Sequence, residues 1–231
     1  MRKLTAFTCR LELMLYAEAW ERQKTLHTLR RQGIVPDFLL TVEHPHTYTC
    51  GRTTRSDHMG SDGGSLEPGA AEVFSIERGG SVTYHGPGQL VGYPIIDLRR
   101  RGRDVHRYVR ELEKVLILTL AGFGLEARRR PGLTGVWVER RKIAAIGIYV
   151  RQWITMHGFA LNVCPDLGYF RKVAPCGLDG NSITSMAELL SHPPVLREVE
   201  EEMKHQFAAV FGWELEEVSL EALLARSGEN L

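Results

Sequence analysis

"RGGSVTYHGPGQL" occupies residues 78–90, from Arg78 to Leu90. Five of its thirteen residues are Gly or Pro, yet Tyr84 and His85 sit in the middle. Glycine lets another backbone or a ligand come close to the main chain and adopts dihedrals that other residues avoid. The stretch reads either as a turn carrying an incidental histidine or as a pocket wall with an imidazole in it. Its flanks, "SVTYH" and "QLVGYPIIDL", alternate like strands, so two strands joined across "GPG" as a hairpin are predicted.

Working outward, "EVFSIER" reads as a strand entering this stretch, and "DFLLTVE" as another before it. The segment Leu13 to Arg31 places Leu15, Ala19, Leu26 and Leu29 on one helical face, with Gly33 as the stop. Residues 60–70, "GSDGGSLEPGA", are turn-rich and read as a surface loop. A helix is predicted from Asp104 to Ala121, with Asp104 as N-cap and Gly122 and Gly124 as stops. "TGVWVERRKIAAIGIYV" reads as a hairpin turning at Glu139-Arg140-Arg141, and "WITMHGFALNV" as a further strand. "PPVLREVEEEMKHQFAAVFG" is an amphipathic helix and "SLEALLARSG" a short last one. Strands in hairpin succession with grouped helices predict an α+β fold, an α/β sandwich with a mainly antiparallel sheet. One domain over residues 1–231 is expected.

The 231 residues are 43% hydrophobic, enough for a sizeable core without metals or disulfides. Lys+Arg 29 against Asp+Glu 28 leaves a net charge of +1, which gives no global pull toward nucleic acid or an anionic membrane. Arg10 and Glu12 interrupt the first apolar run, so no signal peptide is read there, and no run approaches the ~20 residues of a membrane span. A cytoplasmic protein is expected. Cys9, Cys50, Cys164 and Cys176 show no CxxC and are expected to be free thiols. His44, His46 and Cys50 lack a fourth local ligand, so no metal is expected. Neither a phosphate-binding GxxxxGK[ST] loop nor a GxSxG elbow is present.

Two groups carry potential chemistry. Cys176, in "VAPCGLDG", sits between Pro and Gly on an irregular turn, where a sulfur is either an exposed nucleophile or a small packed residue. Lys142 opens "KIAAIGIYV" and is either a solvated strand-end charge or a partner for a thiol. His85 and His157 each precede Gly at a strand edge and could line one pocket.

Taken in order, "RGGSVTYHGPGQLVGYPIIDL", "GVWV…KIAAIGIYV", "HGFALNV" and "VAPCGLDGNSITS" resemble the lipoyl(octanoyl) transferases of lipoate biosynthesis, over about Val42 to Met186. The resemblance implies the catalytic fold of biotin/lipoate protein ligases. It implies octanoyl transfer from octanoyl-acyl carrier protein to a lysine of apo lipoyl domains, in 2-oxoacid dehydrogenase E2 subunits, or of the glycine-cleavage H protein. The family's acyl-thioester cysteine falls on Cys176 and its lysine on Lys142. The binding segments fall on Arg78, Gly79, Gly80, Ser81, Val82, Thr83, Tyr84 and His85, on Ala145, Ile146 and Gly147, and on Gly158, Phe159 and Ala160. No cofactor is implied, and a monomer is expected. Cys50 stands where the family pattern suggests an aliphatic residue and is read as core.

Overall fold

The computed structural model describes residues 4–55, 58, 71–173, 182–219 and 221–222. Cys176, the 60–70 loop and most of the expected last helix lie outside them.

Eleven strands and four α-helices follow one another along these residues: β1 (Leu4–Leu13), α1 (Tyr16–Gln32), β2 (Phe38–Glu43), β3 (Thr47–Cys50), β4 (Glu72–Ser75), β5 (Val82–His85), β6 (Gln89–Ile95), α2 (Val105–Gly122), β7 (Ala127–Arg130), β8 (Leu133–Val138), β9 (Arg141–Arg151), β10 (Ile154–Asn162), α3 (Met186–Leu189), α4 (Leu196–Phe211) and β11 (Trp213–Glu217). One sheet has the order β11-β1-β2-β6-β10-β9-β8-β7, and a smaller one β4-β3-β5. β1 runs parallel to both β11 and β2, while the pairs β2–β6, β6–β10, β10–β9, β9–β8 and β8–β7 are all antiparallel. The fold is therefore α+β with a mainly antiparallel sheet.

α2 and α4 cover one face of the large sheet, where Leu112, Leu116, Val199, Met203 and Phe207 are buried with Leu161 and Ala144. On the other face α1 lies against β6 and β10, burying Ala19, Leu26 and Leu29 with Val91, Tyr93 and Ala160. Leu15, assigned from sequence to that helical face, lies before the first turn and is exposed. Gly33 ends α1 in the left-handed region, and Asp104 caps α2 by accepting from the Arg107 N–H at 2.9 Å.

One sequence expectation is corrected. β5 and β6 are not a hairpin pair. β5 pairs with β3 in the small sheet, whereas both edges of β6 are taken by β2 and β10. The "GPG" turn thus carries the chain from one sheet to the other. Gly88 adopts φ +86, and a Cβ there would come within 2.6 Å of the Cys164 carbonyl. The crossing needs glycine both for conformation and for space.

Candidate active site

A cavity of about 370 Å³ opens where the two sheets meet. Thirteen of the fourteen residues proposed from sequence to bind substrate line it: Arg78 to Thr83, His85, Ala145 to Gly147, and Gly158 to Ala160. Tyr84 does not. Strand alternation turns it away from His85, and its hydroxyl meets His46 Nδ1 at 2.6 Å while its ring stacks on Tyr169. The geometry makes Tyr84 part of the small sheet's core, with Tyr48 and Phe170.

Two close approaches shape the wall. Gly147 lies on β9 where that strand has passed beyond its pairing with β8, and the Gly79 N–H donates to the Ile148 carbonyl at 2.9 Å instead. A Cβ on Gly147 would meet Arg78 Cδ at 2.9 Å. Arg78 is buried, and its guanidinium donates to the Thr49 carbonyl at 2.6 Å and the Thr49 hydroxyl at 2.9 Å. The bare backbone of "RGG" is therefore what lets the loop seal against the open edge of β9.

Lys142 is 8% exposed and lines the same cavity. Its Nζ lies 5.0 Å from the centroid of the buried Trp137 ring, a cation–π contact. Its carbonyl accepts from the Thr184 N–H at 3.0 Å. Asn162 Nδ2 donates to the Thr184 carbonyl at 2.9 Å, and Gln89 Nε2 donates to Asn162 Oδ1 at 2.9 Å. This chain of bonds fastens the segment after residue 181 to β10 and β6 beside Lys142. Phe170 and Ile183, which flank residues 174–181, both line the cavity. Gln89 and Asn162 escaped the sequence reading. Gln89 stood within the quoted stretch, but an amide at a strand end carries no reactive signature.

His85 is buried, with Thr49 Oγ1 3.4 Å from its Nε2 and the Tyr16 ring stacked at 5.9 Å. Burial pushes its pKa well below the ordinary histidine value, and nearby His44 and Arg78 push the same way. The ring is neutral at pH 7. His157, the other His-Gly histidine, also lines the cavity and has φ 58. Its Nε2 lies 3.5 Å from Glu77. Burial alone would raise the Glu77 pKa, but the His157 contact, its own backbone N–H and Trp20 outweigh that and bring it down to about 2.

The histidines of "HPHTYTC" are structural. His44 Nδ1 lies 2.7 Å from the Met14 carbonyl, so it carries the proton, and Nε2 accepts from the Tyr93 hydroxyl at 2.7 Å. Among the described residues no group of His, Cys, Asp and Glu has a metal-binding arrangement. Cys50 is half-buried against the small-sheet core, Cys9 is buried, and Cys164 is exposed.

Burial holds the His44 pKa down to about 4, against a weaker upward pull from its Met14 bond. The unfolded chain, with histidine near ~6.5, binds more protons between these values, so stability falls as pH drops from ~6.5 toward 4. The urea midpoint is expected to be lower at pH 5 than at pH 7.5, and His44→Gln should flatten that slope. An equal slope in the variant would assign the loss to other groups.

The family described as lipoyl protein ligase A/B catalytic domain matches residues 15–208. The chain belongs to that family. Within it, an octanoyltransferase of Solibacter usitatus is 50% identical over 200 residues, covering 87% of this chain and 90% of the relative. An octanoyltransferase of Synechococcus elongatus is 49% identical over 218 residues, covering 94% and 91%. These similarities place the chain among the family's octanoyltransferases. More distant structures share the fold. A lipoate-protein ligase A bound with ATP superposes with a TM-score of 0.74 at 15% identity, covering 98% of this chain and 94% of the ligase. A bipartite lipoate protein ligase of Thermoplasma acidophilum, described with its E2 lipoyl domain, gives 0.75 at 16% identity, covering 97% and 91%. Among the described residues no helix is long and apolar enough to cross a membrane.

Proposed function

We propose that this octanoyltransferase takes its acyl group from the thioester of octanoyl-acyl carrier protein. It passes the group to a lysine of apo lipoyl domains or of the glycine-cleavage H protein, acting as a cytoplasmic monomer. The observation that carries the reading is the 50% identity to an octanoyltransferase along nine tenths of both chains. The cavity supports it, because a buried lysine stands at a largely apolar wall that includes Ile146, Phe159 and Ala160. Burying each methylene of an acyl chain there contributes about 0.8 kcal/mol.

Cys176 attacks the thioester carbonyl as thiolate, and the carrier's thiol leaves with a proton. The acceptor lysine amine then attacks the Cys176 thioester, giving up one proton as Cys176 departs and regains its own. Thioester exchange is nearly thermoneutral and amide formation runs downhill, so no nucleotide is consumed. Lys142 as ammonium holds the Cys176 thiolate in the first half and gives its proton to the departing carrier thiolate; the neutral amine this leaves takes the acceptor's proton in the second half and passes it to the departing Cys176. The anchoring of Thr184 beside Lys142 supports this assignment, since it fixes one end of the segment that contains Cys176.

The test is an intact-protein mass spectrum after brief exposure to octanoyl-acyl carrier protein, with Cys176→Ala alongside. One octanoyl group is expected on the native chain and none on the variant, and apo lipoyl domain should discharge it. No adduct on the native chain, with turnover appearing on addition of free octanoate and ATP, would overturn the reading in favour of a ligase.

A further inference from the structure

The balanced charge of the whole chain conceals a concentrated face. Residues 126–141 contain Arg128, Arg129, Arg130, Arg140 and Arg141 against Glu126 and Glu139. Arg129 pairs at 2.9 Å with the buried Glu113, which Arg110 also meets at 2.7 Å, and Arg141 pairs with Glu188 at 2.8 Å. The other three meet no carboxylate in an ion pair among the described residues. Arg128 and Arg130 share one face of β7 and reach across to the turn between β8 and β9. There they donate to the Glu139 carbonyl at 3.5 Å and the Arg140 carbonyl at 3.4 Å. Arg128 is exposed, and so is Arg140 on the turn itself, so two guanidinium groups reach a hairpin turn that carries a third arginine.

That turn adjoins the reacting end of the cavity. Arg130 lies 4.7 Å from the Trp137 ring centroid, the same ring that Lys142 meets at 5.0 Å. Leu133 and Thr134, just past Arg130, line the cavity itself. A macromolecule reaching Lys142 from this side must pass the arginines.

We propose that this arginine face docks the acidic carrier protein that delivers the thioester. The inference rests on the carrier-dependent reaction proposed above. A carrier's acyl arm is joined through a phosphodiester, so the arm's anion and the protein's acidic surface both match guanidinium groups, which pair well with phosphate and carboxylate. Charges at the rim of an interface act chiefly on encounter and carry a salt dependence.

Arg128 and Arg140 touch neither the cavity nor a buried partner, so R128E/R140E should fold as the native chain does. With octanoyl-acyl carrier protein its KM for acylation is expected to rise at least ten-fold, with kcat within two-fold. With the neutral octanoyl thioester of N-acetylcysteamine, kcat/KM should be unchanged. Added salt should raise the native KM toward the variant's. An unchanged carrier KM would overturn the proposal. So would an equal loss with the small thioester, or a defect confined to discharge onto the lipoyl domain, which would give the face to the acceptor. If the native chain forms no adduct with either thioester, it is the carrier reaction itself that fails.

Discussion

Lys142→Ala is expected to slow both half-reactions, each by about 10²–10⁴, the usual range for losing a positioned proton-transfer group. Single-turnover mass spectrometry reads the two separately, as octanoyl loading onto the proposed nucleophile Cys176 and discharge onto the proposed acceptor, an apo lipoyl domain. Loading suffers because a free thiol, with pKa near ~8.5, needs a neighbouring cation to be thiolate at neutral pH. Discharge suffers because the incoming ammonium must lose a proton to something. Lys142→Arg separates these roles. An arginine keeps the charge and cannot be deprotonated in a protein. Loading should therefore recover in part while discharge stays slow. The packing leaves little slack, since a Cβ at Gly135 would already lie 3.3 Å from Lys142 Cε. A denaturation midpoint for each variant keeps misfolding apart from chemistry. Both rates within two-fold of native in Lys142→Ala would remove the residue from the mechanism.

Why Lys142 was legible as a residue and not as a site has a physical reason. "KIAAIGIYV" announces a strand, and a lysine at its start reads equally well as a solvated charge. What buries it is long-range. β8 lies on one side, carrying Trp137, and residues 182–184 form a parallel bridge from beyond position 181. No local pattern encodes either contact. The same holds for the first strand. In β1 the run Ala6 to Cys9 is buried on both faces: β11 and β2 close its two edges in parallel, Ala6 packs into the core under α2 and α4, and Phe7 and Cys9 pack into the core under α1. Alternation is then lost, as is usual where parallel strands are covered on both sides. β11 is short, with a Trp213 anchor and mostly exposed acidic residues, so its pairing partner was equally hidden.

Local features came through well. Gly33 and Asp104 mark helix ends because capping is chemistry of a single turn. The misreading of β5 and β6 as a hairpin shows the limit of that chemistry. Turn residues specify that the chain bends, and competition for sheet edges decides which strands pair. Here β2 and β10 outcompete β5 for β6, and the displaced strand builds the second sheet that closes the cavity. The site exists because that hairpin does not form.

Gly158→Ala is expected to be the most damaging single methyl group in the molecule's wall. Gly158 sits in β10, opposite Gly147 of β9 and beside Gly92 of β6. A Cβ there would fall 2.2 Å from the Gly92 carbonyl oxygen and 2.6 Å from Pro94 Cδ. Neither can swing aside, since one is main chain held in the sheet and the other a closed ring. Gly92 is itself filled by the Phe159 ring, whose Cζ would lie 2.2 Å from a Cβ. β6 and β10 thus interlock, and relief requires the strands to part. Overpacking a well-filled interior costs about 1–3 kcal/mol, and clash with backbone places this case at the upper end. Urea denaturation should show a lower midpoint with little change in slope. Because Gly158, Phe159 and Ala160 line the cavity, octanoyl loading should fall by more than the unfolded fraction explains. A variant within 0.5 kcal/mol of native would mean that β6 and β10 can separate freely, and the account of the cavity's rigid inner wall would be wrong.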